Sequence, residues 1–323
     1  NELNKYISGN VKTPIKKVTD NIGSVLSTID NTELEDAYGN KIVVPAGFKI
    51  VSNSDTNNAT TVDKGIVIED ATSGATAGSQ FVWIPVGKIY TDVSKTEANT
   101  KTIELGRYEF DKTTGTKSAY SGSYVEEDKG DTNTTLKNYG NTIAKNITNF
   151  KNSVAANGGY YIGRYEARTT TERTTSGNTL TQITEKGTDQ VYNYVTQLQA
   201  ANQAQNMYSS NKFTSDLINS YAWDTAIVFI QNCGTNAKYS RQSTLNWGYA
   251  PTTFGTDVDI QCNVYDMASN LMEWTTETSN ASDNPCVTRG GRFNYDGDTT
   301  SHRGTYSTDY GGNSITGFRP LLY

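Results

Sequence analysis

The segment from Asn263 to the C-terminus limits what this chain can fold into more than any other part of it. It reads Asn263-Val-Tyr-Asp-Met-Ala-Ser-Asn-Leu-Met-Glu-Trp274, then Thr288-Arg-Gly-Gly-Arg292, then a polar run ending in Gly317-Phe-Arg-Pro320. Gly290 and Gly291 permit backbone conformations and close approaches that side chains forbid. Trp274 and Phe318 carry large apolar surfaces close to chain turns. With Arg319 they are expected in a core, the guanidinium buried or stacked. Between Phe293 and Ile315 the chain holds only Asn, Tyr, Asp, Thr, Ser, Gly, one His and one Arg, the composition of a binding surface.

In kind and order these segments resemble the C-type-lectin-like fold in the version shared with formylglycine-generating, sulfatase-modifying proteins. The pattern there runs roughly as Asp-Met-(Ala)-Gly-Asn-(Val)-Trp-Glu-Trp, then Arg-Gly-Gly-Ser, then Gly-Phe-Arg. Here Asp266 to Trp274 departs from it at Ser269 and Met272, whereas Arg289-Gly290-Gly291-Arg292 and Gly317-Phe318-Arg319 keep spacing and order. Gly158-Gly-Tyr-Tyr-Ile-Gly-Arg-Tyr-Glu-Ala-Arg168 looks like the early strand of such a domain, and Ser215-Asp-Leu-Ile-Asn-Ser-Tyr-Ala-Trp-Asp-Thr-Ala226 like its second helix. The resemblance covers about half the chain. It implies an α+β class, two helices beside antiparallel strands with N- and C-terminal strands in one sheet.

The enzymatic branches of that family need ligands this chain lacks. The formylglycine-generating enzymes bind copper through a cysteine pair before Gly-Phe-Arg, and between Arg292 and Gly317 there is no cysteine; Cys286 lies before the Arg-Gly-Gly motif. The iron-dependent sulfoxide synthases need three histidines, and His302 is the only one. A Ser-His-Asp set would have to combine His302 with the adjacent Ser301 and with Asp298 or Asp309, and neighbours on a loop rarely reach productive geometry. No enzymatic activity is expected.

Lectin-like domains of this type also serve as variable proteins of diversity-generating retroelements, in which adenine-directed mutagenesis scatters substitutions shortly before Gly-Phe-Arg-Pro. Asn codons mutate by that route to Tyr, Asp, Ser, Thr, His and Gly, the residues of this window. The resemblance then implies recognition through Asn294, Tyr295, Asp296, Asp298, Thr299, His302, Thr305, Tyr306, Ser307, Asp309, Tyr310, Asn313 and Ser314. A solvated polar loop region would have the same composition. Physically, tyrosines offer rigid amphipathic contact area, and Asn, Ser, Thr and Asp offer adaptable hydrogen bonds, as in antibody paratopes. Arg292 and Arg303 are expected to be framework, holding loops through carbonyls.

Composition bounds the partners. The net charge of -6 argues against nucleic acid, which demands a concentrated positive surface. Apolar content is 35%, and 21 Tyr and 4 Trp supply what the aliphatics do not, so a core can form. Abundant Thr, Asn and Tyr point to an extracellular or cell-surface β-rich protein; the resemblance to variable proteins adds a virion component as the alternative. The three cysteines, Cys233, Cys262 and Cys286, allow at most one disulfide, and zinc has too few ligands at usable spacing. No cofactor is expected; calcium is the one candidate, through Asp296-Gly-Asp298, Asp283, Glu273 and Asp266. Asp296 and Asp298 read equally as a turn around Gly297. No apolar stretch reaches the roughly eighteen residues of a membrane-spanning helix, and no secretory leader is visible from Asn1 onward, which leaves location open.

Along the chain, Leu3, Ile7, Val11, Ile15, Val18, Ile22, Val25 and Ile29 recur at helical spacing, though Gly9, Pro14 and Gly23 weaken the pattern. Residues 1–38 are therefore expected as an amphipathic helix, serving either as an anchor in a pilus or phage-tail assembly or as a cover on its own domain. Residues 39–323 form the lectin-like domain. Lys41–Val44, Phe48–Val51, Gly65–Ile68 and Gln80–Ile84 read as strands of a small antiparallel sheet, 91–150 as an insertion, 190–207 and 216–232 as the two helices, and Thr169–Gly187 as a surface loop. The chain reads as a surface-displayed binding protein for a protein or glycan ligand. An enzyme of the sulfatase-modifying family with an unrecognised site, or a structural adhesin of fixed specificity, are the alternatives.

Overall fold

Runs of β-branched and aromatic residues supply the strands. The computed structural model describes residues 14–126, 146–177, 180–210, 212–248, 251, 259–279, 281 and 283–323. Five strands come first: β1 (Phe48–Val51), β2 (Val67–Asp70), β3 (Gln80–Pro85), β4 (Gly159–Gly163) and β5 (Ser215–Leu217). Four follow in the C-terminal region: β6 (Met272–Thr278), β7 (Cys286–Arg289), β8 (Arg303–Tyr306) and β9 (Thr316–Phe318). A last strand, β10 (Pro320–Leu322), returns to the first group.

The larger sheet has the order β5-β10-β4-β3-β2-β1 and is antiparallel throughout. The last strand of the chain thus lies beside β4, which pairs on its other edge with β3. The second sheet has the order β8-β7-β6-β9, with β6 and β9 parallel and the other pairs antiparallel. The architecture is α+β, mostly antiparallel, with three α-helices among the described residues: α1 (Ile147–Asn157), α2 (Gln197–Met207) and α3 (Ser220–Cys233).

Each helix starts where a side chain can cap it. Asn146, Thr196 and Asn219 accept from the backbone N–H three residues on, and Thr196 forms a reciprocal capping box with Gln199. Helix α3 buries Trp223, Ala226, Ile227, Phe229 and Ile230 completely. The core also holds Trp83, Trp274, Phe81, Tyr160 and Phe318 at 2% exposure or less, each contributing roughly 2–3 kcal/mol by leaving water. Arg319 is fully buried with them. It donates to both carboxylate oxygens of Glu273 at 3.1 and 2.6 Å and to the carbonyls of Gly163 and Tyr265 at 2.8 Å each. This one side chain ties the end of β4, the start of β6 and the C-terminus together.

The paired glycines are required by close approach. A Cβ at Gly290, where φ is +83°, would stand 2.5 Å from the carbonyl of Met267, and one at Gly291 would stand 2.1 Å from that of Ala268. Any side chain there would collide with backbone.

Several expectations need correction. From Pro14 onward the N-terminal segment is not a helix; residues 1–13 lie outside the described residues. Lys16–Lys17 pairs parallel with Leu34–Glu35, Thr19–Asn21 is a single 3-10 turn, and Gly23 sits at φ +74°. Pro14 lacks the N–H a helix interior needs, and Gly23 breaks the turn after it, so a heptad-like spacing never becomes one face. The early strands do not make a separate small sheet either. Phe48–Val51, Val67–Asp70 and Gln80–Pro85 are half of the central sheet, while Lys41–Val44 pairs with Thr32–Glu35.

The helix expected from 190 begins only at Gln197, because Tyr194 takes a left-handed φ of +51°. The one expected from 216 begins at Ser220, after Ser215–Leu217 has paired with β10. Helix α1 was not foreseen. The described part of 91–150 is built into the domain: Gly87–Tyr90 pairs with Thr100–Ile103 and Tyr108–Phe110 with Lys117–Ala119, and Val125 bridges to Thr278. The Thr169–Gly187 stretch is closed by a short pairing of Arg168–Thr169 with Ile183–Thr184, and Arg168–Thr169 pairs on its other edge with Gln190–Val191.

Candidate functional site

Beneath the polar C-terminal run lies a buried set of charges. Asp224 on α3 and Glu277 on β6 are fully buried and hold three guanidinium groups. Arg289 on β7 reaches Asp224 Oδ1 at 2.5 Å, and Arg303 on β8 reaches Asp224 Oδ2 at 2.7 Å and both oxygens of Glu277 at 3.0 and 3.1 Å. Arg107 closes on Glu277 from outside. Arg289 also donates to the carbonyls of His302 and Ser301, which fixes the backbone entering β8. Burial works against the charge of Arg303, yet Asp224 and Glu277 raise its pKa above the ordinary value. Arg303 is framework as expected, though its main partners are carboxylates.

Arg292 is the hub of the surface above. Its guanidinium lies 5.1 Å from the ring centre of Tyr295, its Nε is 3.4 Å from Asp298, and its Nη1 is 3.9 Å from Met272 Sδ. Burial raises the pKa of Tyr306 and of Tyr310, with the positive charge of Arg292 opposing it. Those two rings stack with centres 4.2 Å apart and planes 24° apart, and both meet Trp274 edge-on at 6.0 and 6.2 Å. Trp274 is in turn fixed by its indole N–H, which donates to the Val195 carbonyl at 2.8 Å.

The candidate residues thus divide. Asn294, Tyr295 and Asp296 are exposed, as is Asp309, while Thr299, His302, Thr305, Tyr306, Ser307, Tyr310, Asn313 and Ser314 are half-buried. Asp298 is a correction: it is only 7% exposed, held between Arg292 and His302 Nε2, the latter at 3.3 Å. Its role is to brace the turn, since its carboxylate is already engaged. Burial lowers the pKa of His302, with Arg289 and Arg292 adding to the effect and Asp298 opposing it, so the ring is neutral near pH 7.

Asn313 turns inward as well, its Oδ1 accepting from Ile315 N and Thr316 Oγ1 at 3.1 Å each, while the Ser314 carbonyl accepts from Asn193. These two hold the return to β9 beside the loop before α2. Ser307 donates to Asp309 at 2.6 Å across a turn. Tyr295 lies over Arg292, while Tyr306 and Tyr310 stack on each other against Trp274; Asn313 and Ser314 belong to the frame.

Two exposed apolar side chains join this surface that composition did not single out. The chain from Ser243 to Gly248 runs alongside it: Ser243 bridges to Thr299, and Gly248 N–H donates to the Phe293 carbonyl at 2.8 Å. On that segment Trp247 is 63% exposed and Leu245 44% exposed. A lone Trp inside a polar run was the available signal, because a large aromatic that is not in a core tends to sit at an interface. A cleft of about 540 Å³ opens on the other side, where Glu109, Phe110 and Lys112 face Thr299, His302 and Arg303.

The calcium candidates do not assemble. Glu273 is committed to Arg319, Asp298 to Arg292, and among the described residues no group of three or more His, Cys, Asp or Glu is arranged to hold a metal ion. All three cysteines are free thiols. No helix among the described residues is long and apolar enough to cross a membrane.

No protein-family model and no curated protein sequence matches the chain. Among solved structures it is similar to Treponema denticola variable protein 1, at 12% identity and a TM-score of 0.39, over 77% of this chain and 98% of that one. A superposition of that quality leaves the fold to rest on the α+β strands and helices described above.

Proposed function

We propose that this chain is a non-enzymatic binding protein that recognises a protein or glycan through the face built on Arg292. The observation that carries the reading is a set of partly open tyrosines, Tyr295 over the Arg292 guanidinium and Tyr306 stacked on Tyr310 against Trp274, beside strands whose Arg289 and Arg303 are fixed by the buried Asp224. Rigid aromatic rings on an immobile base lose little entropy on contact. Exposed Trp247 and Leu245 extend the apolar centre, with Asn294, Asp296 and Asp309 as its polar rim.

We further read the domain as C-type-lectin-like, and the exposed part of Asn294–Tyr310 as the diversified segment of a variable protein of a diversity-generating retroelement. On this reading the chain is displayed outside the cell or on a virion, needs no cofactor, and attaches to a pilus or phage tail through its N-terminal segment. There Ile15, Ile22, Val25 and Ile29 are exposed apolar side chains.

The test is to sequence the gene and its flanking DNA, seeking a near-identical copy of the codons for 290–320 beside a reverse transcriptase. Differences confined to adenines of the copy, falling on Asn294, Tyr295, Asp296, Tyr306 and Tyr310 and sparing Arg292 and Arg303, support the reading. A single invariant copy in many isolates refutes diversification and leaves an adhesin of fixed specificity.

A further inference from the structure

A second cleft, of about 570 Å³, uses none of the residues from Asn294 to Ser314. It forms where the capped turn Ser54–Thr56 and the start of β3 meet the loop after β4, the Lys186–Thr188 loop and the hairpin Ile260–Tyr265. Two of its walls are the rings of Tyr165 and Tyr265, whose centres are 4.8 Å apart at an angle of 44°.

Two cations line this cleft without an ion pair among the described residues. Arg164 is only 2% exposed, yet its guanidinium is met by neutral oxygens alone, Gln80 Oε1 at 2.6 Å and the Asp55 carbonyl at 2.5 Å. Its Nε has no hydrogen-bond partner among the described residues. The guanidinium carbon lies 5.3 and 5.2 Å from the centres of the Tyr165 and Tyr265 rings. A buried guanidinium without a counter-charge is costly unless an anion completes it.

Lys186 is the second cation. Its stem lies across Gly78, 3.3 Å from where a Cβ would stand, and its ammonium makes no ion pair or hydrogen bond among the described residues. Gly78, at φ +83°, is the residue type that leaves room for it. One acid lines the cleft, Asp55, and its carboxylate forms no ion pair there. Ser54, Asn57 and Thr188 add hydroxyl and amide groups at the rim.

From this arrangement we infer that the cleft binds an acidic sugar, its carboxylate held by Arg164 and Lys186 and its ring against Tyr165 and Tyr265. The volume falls within the range of small-ligand sites, two cations on one cleft favour a carboxylate, and the rim matches sugar hydroxyls. The inference is independent of the surface built on Arg292.

The experiment is a calorimetric titration of the full chain with methyl glucuronide, methyl glucoside and inorganic phosphate, repeated on Lys186→Met and Thr188→Glu. Thr188 is exposed, so Glu at that position puts a like charge at the rim of the cleft without disturbing the core. The glucuronide is expected to bind, the glucoside not to, and Lys186→Met to weaken binding by about tenfold, the loss of one charge-assisted hydrogen bond. Thr188→Glu, with an unchanged thermal unfolding curve, is expected to abolish it. Equal binding of glucuronide and glucoside, phosphate binding as tight as the glucuronide, no binding in the millimolar range, or binding unaffected by both variants would each overturn the assignment.

Discussion

Tyr306 and Tyr310 stack with ring centres 4.2 Å apart, and both stand edge-on to the fully buried Trp274. Aromatic contacts of this kind are worth about 0.5–1.5 kcal/mol beyond the area they bury. A double-mutant cycle of Tyr306→Ala and Tyr310→Ala, read by urea unfolding, is expected to show a coupling of that size. Strictly additive losses would mean the two rings are not stacked in the free protein. Replacing Tyr295 together with both should abolish ligand binding while the domain stays folded.

Asp224 is the carboxylate shared by Arg289 and Arg303. Asp224→Ala leaves two buried guanidiniums short of a partner and also frees the Tyr108 N–H, which donates to Asp224 at 2.8 Å. The expected loss is about 3–5 kcal/mol, the usual effect of removing one member of a buried pair, measured by chemical denaturation. A loss below about 1 kcal/mol would contradict the view that this charge set supports the surface.

Trp247 separates binding from stability. At 63% exposure it packs little, so Trp247→Ala should alter unfolding by no more than about 0.5 kcal/mol. If it anchors a ligand, the same change should cost about 2 kcal/mol or more in affinity, read on protein and glycan arrays. Unchanged affinity would remove Trp247 from the surface.

Asp266 gives a pH signature. Its carboxylate is buried, neither oxygen has a hydrogen-bond partner among the described residues, and its φ is +62°. Burial, with nearby Asp259 adding to it, pushes its pKa well above the ordinary aspartate range. The folded chain therefore keeps a proton that the unfolded chain has released above about pH 4, and each further rise in pH toward the folded pKa favours unfolding. Asp266→Asn removes that penalty and suits the left-handed backbone. It should stabilise by about 1–3 kcal/mol at pH 8 and by clearly less at pH 4, in urea titrations at the two values. A gain independent of pH would contradict a proton held at Asp266.

Much of the fold was legible because its signals are local. Phe48–Val51 and Gln80–Ile84 carry the residues of strands, and Trp274, Phe318 and Arg319 sit in motifs whose spacing needs a core. The N-terminal spacing misled because periodicity says nothing of whether Pro14 and Gly23 will let a helix propagate. In the surface, Tyr295, Tyr306 and Tyr310 were legible as polar aromatics in a window without aliphatics. Asp298 and Asn313 belong to the same composition, yet they face Arg292 and the turn before β9. Composition cannot tell an outward carboxylate from one that is paired. The place of Trp247 beside this surface is set by a backbone contact between Gly248 and Phe293, far apart along the chain.

The sequence by itself determined which residues would be core, where glycine was compulsory, and that one long C-terminal run would be polar and aromatic, since these follow from side-chain chemistry and short-range backbone sterics. Only the tertiary structure decided which charges meet. Asp224 finds Arg289 and Arg303, Glu273 finds Arg319, and Arg164 and Lys186 line a cleft without an ion pair among the described residues. Such pairings join residues tens of positions apart, and Coulomb energy depends on distance in space, which spacing along the chain does not encode.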